Sequence, residues 1–194
     1  DFVHPEARHE LMWDMLQAER VRRIAHGLSE QRFADPVSAL EDYLRHTLPA
    51  LRTMRAQVCH NDLNSNNVLV NPDHPEVVSG VLDFGDAIHT AAIADVAVGA
   101  AYNLGEGDEL LEGAASFVSG FRSVKDLAAE ELSILPRLIL ARLAIRIIIT
   151  EWRARQRPHN RDYILKNTPL AWFQFSHLWR LRTELEDRFT RLAC

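Results

Sequence analysis

The sequence contains little cysteine and little lysine, and its apolar runs are short. Its two cysteines, Cys59 and Cys194, form no C-x-x-C pair, so a disulfide framework or a zinc site is not indicated and a reducing cytoplasm is the expected location. The most apolar stretch, 138–149, contains two arginines and is shorter than the ~20 residues that a membrane span needs. The first residues also lack the cationic and apolar regions of a signal peptide. We therefore expect no membrane partner.

The charge of the chain excludes some partners as well. A formal net charge of −5 gives no electrostatic reason to expect nucleic acid as a partner. Only two of the 22 basic residues are lysines, Lys125 and Lys166, and both fall in stretches with helical patterning. The 194 residues, 47% apolar and 25% charged, have the composition of a folded globular protein. Since no repeat or linker divides them, we predict a single domain over residues 1–194.

Helical patterns flank a short extended region. Before residue 56, apolar spacing predicts one helix over 5–26 and a second from Asp35-Pro36 to about residue 51, where Asp35 would be the N-cap. Three short extended segments follow, and turn-forming residues at 71–75 predict that the last two form a hairpin. These segments are 57–59, 68–70 and 77–82.

The rest of the chain has helical periodicity. We predict five further helices, with a proline opening the long one. They cover 91–104, 108–121, 127–135, 136–155 and 169–192. The predicted fold class is therefore mainly α, α+β overall, a helical bundle with a small β-hairpin insertion.

A dense polar motif lies beside this hairpin. It reads His60-x-Asp62-x-x-x-x-Asn67, then the hairpin, then Asp83-Phe84-Gly85. Phosphoryl transfer requires a carboxylate near the acceptor hydroxyl and metal ions over the developing charge. Asp62 would accept or orient the hydroxyl proton. Asn67 and Asp83 would bind Mg²⁺ and, through it, the nucleotide.

The neighbouring residues of the motif have supporting roles in this interpretation. Gly85 would permit a sharp turn after Asp83. His60 is a catalytic candidate that is better placed to brace the loop than to react. The alternative for the whole motif is a polar hairpin with Asx turns.

Substrate contacts are harder to find in the sequence. Asp86 could approach a second metal or a substrate amine, or it could cap a turn. Glu151 and Trp152 could receive an ammonium group by charge and cation–π contact, although such a pair is commonly a solvated acid beside a core aromatic. The nearby arginines 153, 155 and 157 are interpreted as solvating a helix end, and the alternative is a contact with nucleotide phosphates.

The motif resembles the aminoglycoside phosphotransferase and choline kinase family, which is related to the protein kinases. The family pattern is HGDxxxxN, a hairpin and an Asp, and this chain has HNDLNSNN and LDFGD, with Asn61 and Asn66 at common glycine positions. HNDLNSNNVLV, VSGVLDFGDAIHT and the segment around Trp13-Asp14 resemble the hydroxylysine kinase branch. The resemblance implies that Asp95, in Asp95-Val96-Ala97, supports the loop from below.

The resemblance also implies a function. A protein-kinase-like C-terminal lobe would use Mg²⁺ and ATP or GTP to phosphorylate a small amino-alcohol such as hydroxylysine, an aminoglycoside, choline or homoserine. The Gly-rich loop and strand lysine of the amino-terminal lobe are not found in the sequence. We therefore expect that lobe as a partner, and an isolated 194-residue piece without activity. The alternatives are a non-catalytic kinase-like binding or regulatory module and, third, a metal-dependent phosphohydrolase.

Overall fold

A long central helix, α6 (Ala129–Gln156), organises the fold. The structure, a computed structural model, describes residues 4–193 and all their side chains except those of Asp108, Thr190 and Ala193. Buried residues occur around the whole circumference of α6, which is typical of a helix enclosed by others. Most of its contacts are with three helices. These are α2 (Ala34–Asp42), α4 (Ala92–Tyr102) and α8 (Thr168–Leu181).

The beginning of α6 corrects one prediction. The predicted helices 127–135 and 136–155 are one helix, and Pro136 lies inside it. The start is fixed earlier because Glu131 Oε2 accepts a hydrogen bond from the backbone N–H of Ala128, at 2.8 Å. Arg55 Nε also donates to Glu131, at 2.9 Å, so the helix start is tied to the segment that precedes the first strand.

The predicted helix over 5–26 is wrong for most of its length. The structure has 3-10 turns at Pro5–Arg8 and Met15–Gln17, and only α1 (Ala18–Ala25) is α-helical. Asp14 interrupts the helix, because its carboxylate accepts from the N–H of Leu16 at 3.0 Å and from the hydroxyl of Thr90 at 2.8 Å. A distant contact therefore overrides the local helical pattern.

The second predicted helix is present, with a π-helical segment. This segment, Tyr43–Thr47, joins α2 to α3 (Leu48–Leu51). The N–H of Leu48 bonds to the carbonyl of Tyr43, five residues earlier, at the point where Pro49 has no N–H to donate.

Two small antiparallel sheets separate the helical parts. Strand β1 (Ala56–Cys59) pairs with β4 (Ile88–Ala91), and β2 (Val68–Val70) pairs with β3 (Val78–Val81). The sequence predicted the first three strands but not β4. The connections 60–67 and 82–87 both run from one sheet to the other, so the two halves of the polar motif lie side by side.

The remaining helices complete a mainly helical fold, as predicted. The predicted terminal helix is divided into α8 and α9 by residues 182–184. The others are α5 (Glu112–Arg122), α7 (Arg161–Leu165) and α9 (Leu185–Ala193). One buried cluster extends from Met15 to Phe189, while the status of the chain as one lobe of a larger enzyme stays a prediction.

The structure bears on two of the observations from which the location was predicted, the apolar runs and the cysteines. Within residues 4–193, no helix is long and apolar enough to cross a membrane. Cys59 is buried in β1, and burial raises the pKa of its thiol to about 12, whereas Cys194 lies outside the described residues. A cytoplasmic location stays a prediction.

Candidate active site

The connection 60–67 is held from below by Asp95 on α4. Asp95 Oδ1 accepts a hydrogen bond from the backbone N–H of Asn61 at 2.7 Å. Asn61 is buried and has a left-handed backbone with φ of +62°. Glycine and asparagine adopt that conformation more readily than most residues, so the asparagine fits the position where the family pattern has glycine. Burial is the main cause that raises the pKa of Asp95.

His60 uses both ring nitrogens to brace the site. The N–H of Asp62 donates to Nδ1 at 3.3 Å, so Nε2 carries the proton and donates to the carbonyl of Leu82 at 2.8 Å. The ring also contacts that of Phe84, with centroids 5.0 Å apart. Neither ring nitrogen is left free for a reacting group, and the contacts link the 60–67 connection to the 82–87 connection.

Three side chains orient the carboxylate of Asp62. The hydroxyl of Tyr102 donates to Oδ1 at 2.7 Å. The side-chain amides of Asn64 and Asn67 donate to Oδ2 at 3.1 and 3.2 Å. Hydrogen bonds to a carboxylate are stronger than neutral ones and fix its direction.

Tyr102 was not predicted from the sequence. It lies at the end of α4, seven residues after Asp95, and residues seven apart share one face of a helix. That spacing was the available signal once Asp95 had been placed beneath the loop. Burial is the main cause that raises the pKa of the Tyr102 hydroxyl, which therefore remains a hydrogen-bond donor.

The structure also brings Asn67 and Asp83 together. The N–H of Leu82 donates to the backbone carbonyl of Asn67 at 2.8 Å, next to the β2–β3 ladder. The side-chain amide nitrogen of Asn67 points to Asp62, with a second bond to its carbonyl at 2.9 Å, while its amide oxygen has no hydrogen bond within residues 4–193. Asp83 is exposed at the end of β3.

These two residues offer suitable oxygens for a magnesium ion. Mg²⁺ commonly takes one or two protein oxygens and completes its shell with water and phosphate oxygens. An amide oxygen from Asn67 and a carboxylate from Asp83 fit that chemistry. No group of three or more His, Cys, Asp or Glu side chains that could hold a metal occurs among the described residues.

The sharp turn after β3 is at Asp83, not at Gly85 as predicted. Asp83 has φ of +58°, and its Oδ1 accepts from the N–H of Gly85 at 3.3 Å. Gly85 has no positive φ. A Cβ at this position would lie 3.1 Å from Asp83 Oδ1, so glycine leaves room for the carboxylate rather than permitting the turn.

A polar cavity of about 360 Å³ opens beside Asp62. Asp86 and Tyr102 also line it, which brings Asp86 into the site. Burial, followed by the charge of Asp62, raises the pKa of Asp86. A cavity of about 480 Å³, lined by α8, α9 and residues in 107–111, contains none of the predicted site residues, so the first cavity is the candidate site.

Glu151 and Trp152 are not brought into this cavity. Glu151 is 3% exposed and pairs with Arg32, with Nη2 and Oε2 3.0 Å apart. Neither Glu151 nor Trp152 lines the cavity. The substrate role predicted for them therefore has no support in the geometry, because Glu151 is already neutralised by a structural ion pair.

Comparisons with known proteins bear on the family of the chain. The sequence matches the APH phosphotransferase enzyme family over residues 2–129. It is 27% identical to a hydroxylysine kinase of Danio rerio over 98% of this chain and 56% of that protein. It is 26% identical to a hydroxylysine kinase of Xenopus laevis over 97% of this chain and 54% of that protein, and 24% identical to one of Mus musculus over 92% and 50%.

The resemblance to this family, and to proteins named as hydroxylysine kinases within it, is thus confirmed. The chain spans about half the length of the curated relatives that it matches. Because the family match covers well over half of its residues, the chain belongs to the APH phosphotransferase enzyme family.

Proposed function

We propose that this chain forms the acceptor and metal side of a small-molecule kinase that transfers the γ-phosphoryl group of ATP or GTP to the hydroxyl of a small amino-alcohol. The observation that carries the proposal is the Asp62 carboxylate, which lines the polar cavity and which three side-chain donors, Asn67 among them, hold in one orientation. Family membership and the kinase relatives support the same class of reaction. Hydroxylysine is the leading acceptor, because the named relatives are hydroxylysine kinases.

In this proposal the carboxylate of Asp62 accepts a hydrogen bond from the hydroxyl group of the acceptor. A carboxylate oxygen within hydrogen-bond reach of that hydroxyl orients it toward the phosphoryl group and takes its proton as the bond to phosphorus forms. Asn64, Asn67 and Tyr102 hold the carboxylate in one direction. His60 serves as a brace in this account, since both of its nitrogens bind the protein.

Asn67 and Asp83 would hold Mg²⁺ and thereby place the donor nucleotide. The ion would supply charge neutralisation for the phosphate oxygens. Asn67 directly precedes β2 and Asp83 follows β3, so the ladder between β2 and β3 holds their backbones close together. Asp86, in the cavity, is the proposed contact for an acceptor ammonium group.

We further propose that residues outside these 194 provide the rest of the nucleotide site, in an amino-terminal kinase lobe. The hairpin exposes a set of apolar side chains next to Asp83, and such a surface is typical of one that another element or a ligand covers. They are Leu69, Val70, Val77, Val78, Val81, Leu82 and Phe84. The span of about half of each relative agrees with this proposal.

A direct assay tests the proposed reaction. The complete polypeptide is incubated with Mg²⁺ and either ATP or GTP against hydroxylysine, choline, homoserine and an aminoglycoside, and phosphate esters are identified by mass spectrometry. We expect ester formation on at least one amino-alcohol, and no turnover by the isolated 194 residues. Phosphate release without an ester would indicate a phosphohydrolase instead.

The second candidate, a non-catalytic binding module, is less well supported. A module that has lost catalysis has no need to keep an oriented carboxylate beside two magnesium-type oxygens. Nucleotide binding without turnover of any acceptor by the complete polypeptide would favour it.

A further inference from the structure

The cavity beside Asp62 has an excess of positive charge. Five cationic side chains and two carboxylates line it. The cations are Arg142, Arg146, Arg153, Arg157 and Lys166. Within residues 4–193, none of the five forms an ion pair within 4.0 Å. A cavity built only for a cationic amine would have the opposite balance.

Arg146 is a partly buried cation in the cavity whose hydrogen-bonding capacity is almost unused. A guanidinium has five N–H donors, and the only hydrogen bond that the guanidinium of Arg146 donates in the described part of the chain is a long one, 3.5 Å to the carbonyl of Asn167. Burial of the guanidinium is the main cause that lowers its pKa, and the charge of Arg142 lowers it further, while Tyr102 and Asp62 act in the opposite direction. An anion in the cavity would relieve both costs.

Arg142 lies one helical turn before Arg146, so both face the same side of α6. It is 4% exposed, and its Nη1 donates to the carbonyl of Trp13 at 2.7 Å. Burial raises the pKa values of Asp14, Asp86 and Asp95, and the charge of Arg142 acts against that rise, so Arg142 partly serves as their counter-charge. Arg146 has no such set of carboxylates and is therefore the residue that an incoming anion would meet.

Arg146 is also close to the proposed reacting centre. Its Cζ lies 5.3 Å from the centre of the Tyr102 ring, and the hydroxyl of the same ring bonds to Asp62. One tyrosine ring thus separates the guanidinium from the carboxylate that would receive the acceptor hydroxyl. A small molecule with a hydroxyl at one position and an anionic group a few bonds away can span that separation.

We propose that Arg146, supported by Arg142, binds a carboxylate of the acceptor, so that the acceptor is a hydroxyl-bearing amino acid rather than a purely cationic amino-alcohol. This inference rests on the proposed phosphotransferase function. Asp86, on the same cavity, supplies the complementary charge for an amino group. Arginine suits this role because its planar donors bind both oxygens of a carboxylate.

The first test needs only the wild-type complete polypeptide. Acceptor pairs that differ by one carboxylate are compared: 5-hydroxylysine with 1,5-diaminopentan-2-ol, and homoserine with 3-aminopropan-1-ol. We expect the amino acid of the accepted pair to have a kcat/KM about 10- to 100-fold higher, the range for a charge-assisted contact. Equal values within a pair would overturn the proposal.

Variants then assign the contact to Arg146. Arg146→Gln should remove the preference within the pair, and Arg146→Lys should restore part of it, because the charge returns without the planar donors. Arg137→Gln is the matched control, since Arg137 pairs with Glu186 outside this cavity and should keep the full preference. An unchanged preference in folded Arg146→Gln would contradict the assignment. If that variant does not fold, the wild-type pairs and Arg146→Lys still decide.

Two further measurements separate the possible errors. If Arg146→Gln raises KM for ATP while KM for the amino acid is unchanged, the anion is a phosphate of the donor and the proposal is wrong. Calorimetric titration with L-lysine and with cadaverine, neither of which carries a hydroxyl, measures the carboxylate preference without turnover. Tighter binding of L-lysine would support the subsite even if the proposed reaction failed, and equal binding would count against it.

Discussion

The hydrogen bond from Tyr102 to Asp62 yields the most specific prediction about the site. Tyr102→Phe removes one hydroxyl and keeps the aromatic ring on which Arg146 lies. Asp62 keeps its bonds from Asn64 and Asn67 to Oδ2, but Oδ1 loses its only side-chain donor in the described part of the chain. The carboxylate is then free to turn away from the acceptor hydroxyl.

The size of the effect follows from the negative charge of the Asp62 carboxylate, which accepts this hydrogen bond. A hydrogen bond to a charged group contributes about 1.5–3 kcal/mol, which corresponds to roughly 10- to 100-fold in rate if the reaction depends on the orientation it provides. Asp62 is half-buried in an open cavity, so water can replace the hydroxyl in the folded protein. We therefore expect stability to change much less, with a Tm within about 2–5 °C of the wild type.

The assay is steady-state kinetics of the complete polypeptide with its accepted amino-alcohol. We expect kcat of Tyr102→Phe to fall by roughly 10- to 100-fold with little change in KM for ATP. Tyr163→Phe is the matched control, because Tyr163 lines the same cavity but is exposed and does not bond to Asp62. A kcat of Tyr102→Phe within twofold of wild type, or an equal loss in both variants, would refute the positioning role.

Three further predictions concern the metal, the loop and pH. Asp83→Ala should chiefly weaken Mg²⁺-dependent use of the nucleotide, seen as a higher Mg²⁺ requirement in the kinase assay; an unchanged requirement would exclude the ligand role. Asp95→Ala leaves the buried N–H of Asn61 without its acceptor and should cost about 1.5–3 kcal/mol in urea unfolding, whereas a loss below 0.5 kcal/mol, on the order of a surface change, would show that the bond does not hold the loop. The raised pKa of Asp86 means that ionising this carboxyl group is unfavourable in the folded state. The ionised carboxylate therefore lowers the free energy of unfolding at pH values above the folded-state pKa, and this loss disappears as the pH falls below the ordinary pKa of an aspartate. Asp86→Asn should therefore raise Tm near neutral pH and leave it nearly unchanged at about pH 3, and equal shifts at both would contradict this.

The sequence predicted the polar motif and the hairpin because both depend on local patterns. Turn-forming residues lie between two short apolar runs, and the strands appear where those runs are. The spacing of Asp62 and Asn67 was visible in the same way. The residues between them form a tight turn, so the side-chain amides of Asn64 and Asn67 both donate hydrogen bonds to the Asp62 carboxylate.

The errors come from contacts between residues that are far apart in the chain. Asp14 ends a helical pattern because Thr90, 76 residues later, donates to its carboxylate. Glu151 was predicted to be available for a substrate, but in the fold it binds Arg32, which lies 119 residues earlier in the chain. No local pattern in the sequence indicates either pairing.

The arginines in and just after α6 show what a local interpretation of the sequence leaves out. The arginines at 153 and 157 were assigned to solvation of a helix end, and Arg142 and Arg146 were noted only as interruptions of an apolar run. The steps from 142 to 146 and from 146 to 153 are four and seven residues, which keep these three side chains on one face of α6, and Arg157 is the first residue after the helix. That spacing was present in the sequence, although only the fold shows that the face lines the cavity beside Asp62.

The role of Asp62 is the central claim, and one comparison tests it most directly. Asp62→Asn keeps the size of the side chain and removes the carboxylate, while Asp73→Asn makes the same change on the exposed hairpin turn. In the complete polypeptide with Mg²⁺, ATP or GTP and the accepted amino-alcohol, we expect kcat of Asp62→Asn to fall by about 10²- to 10⁴-fold, with Asp73→Asn unchanged and both Tm values near that of the wild type. Near-normal turnover by a folded Asp62→Asn protein would contradict the account.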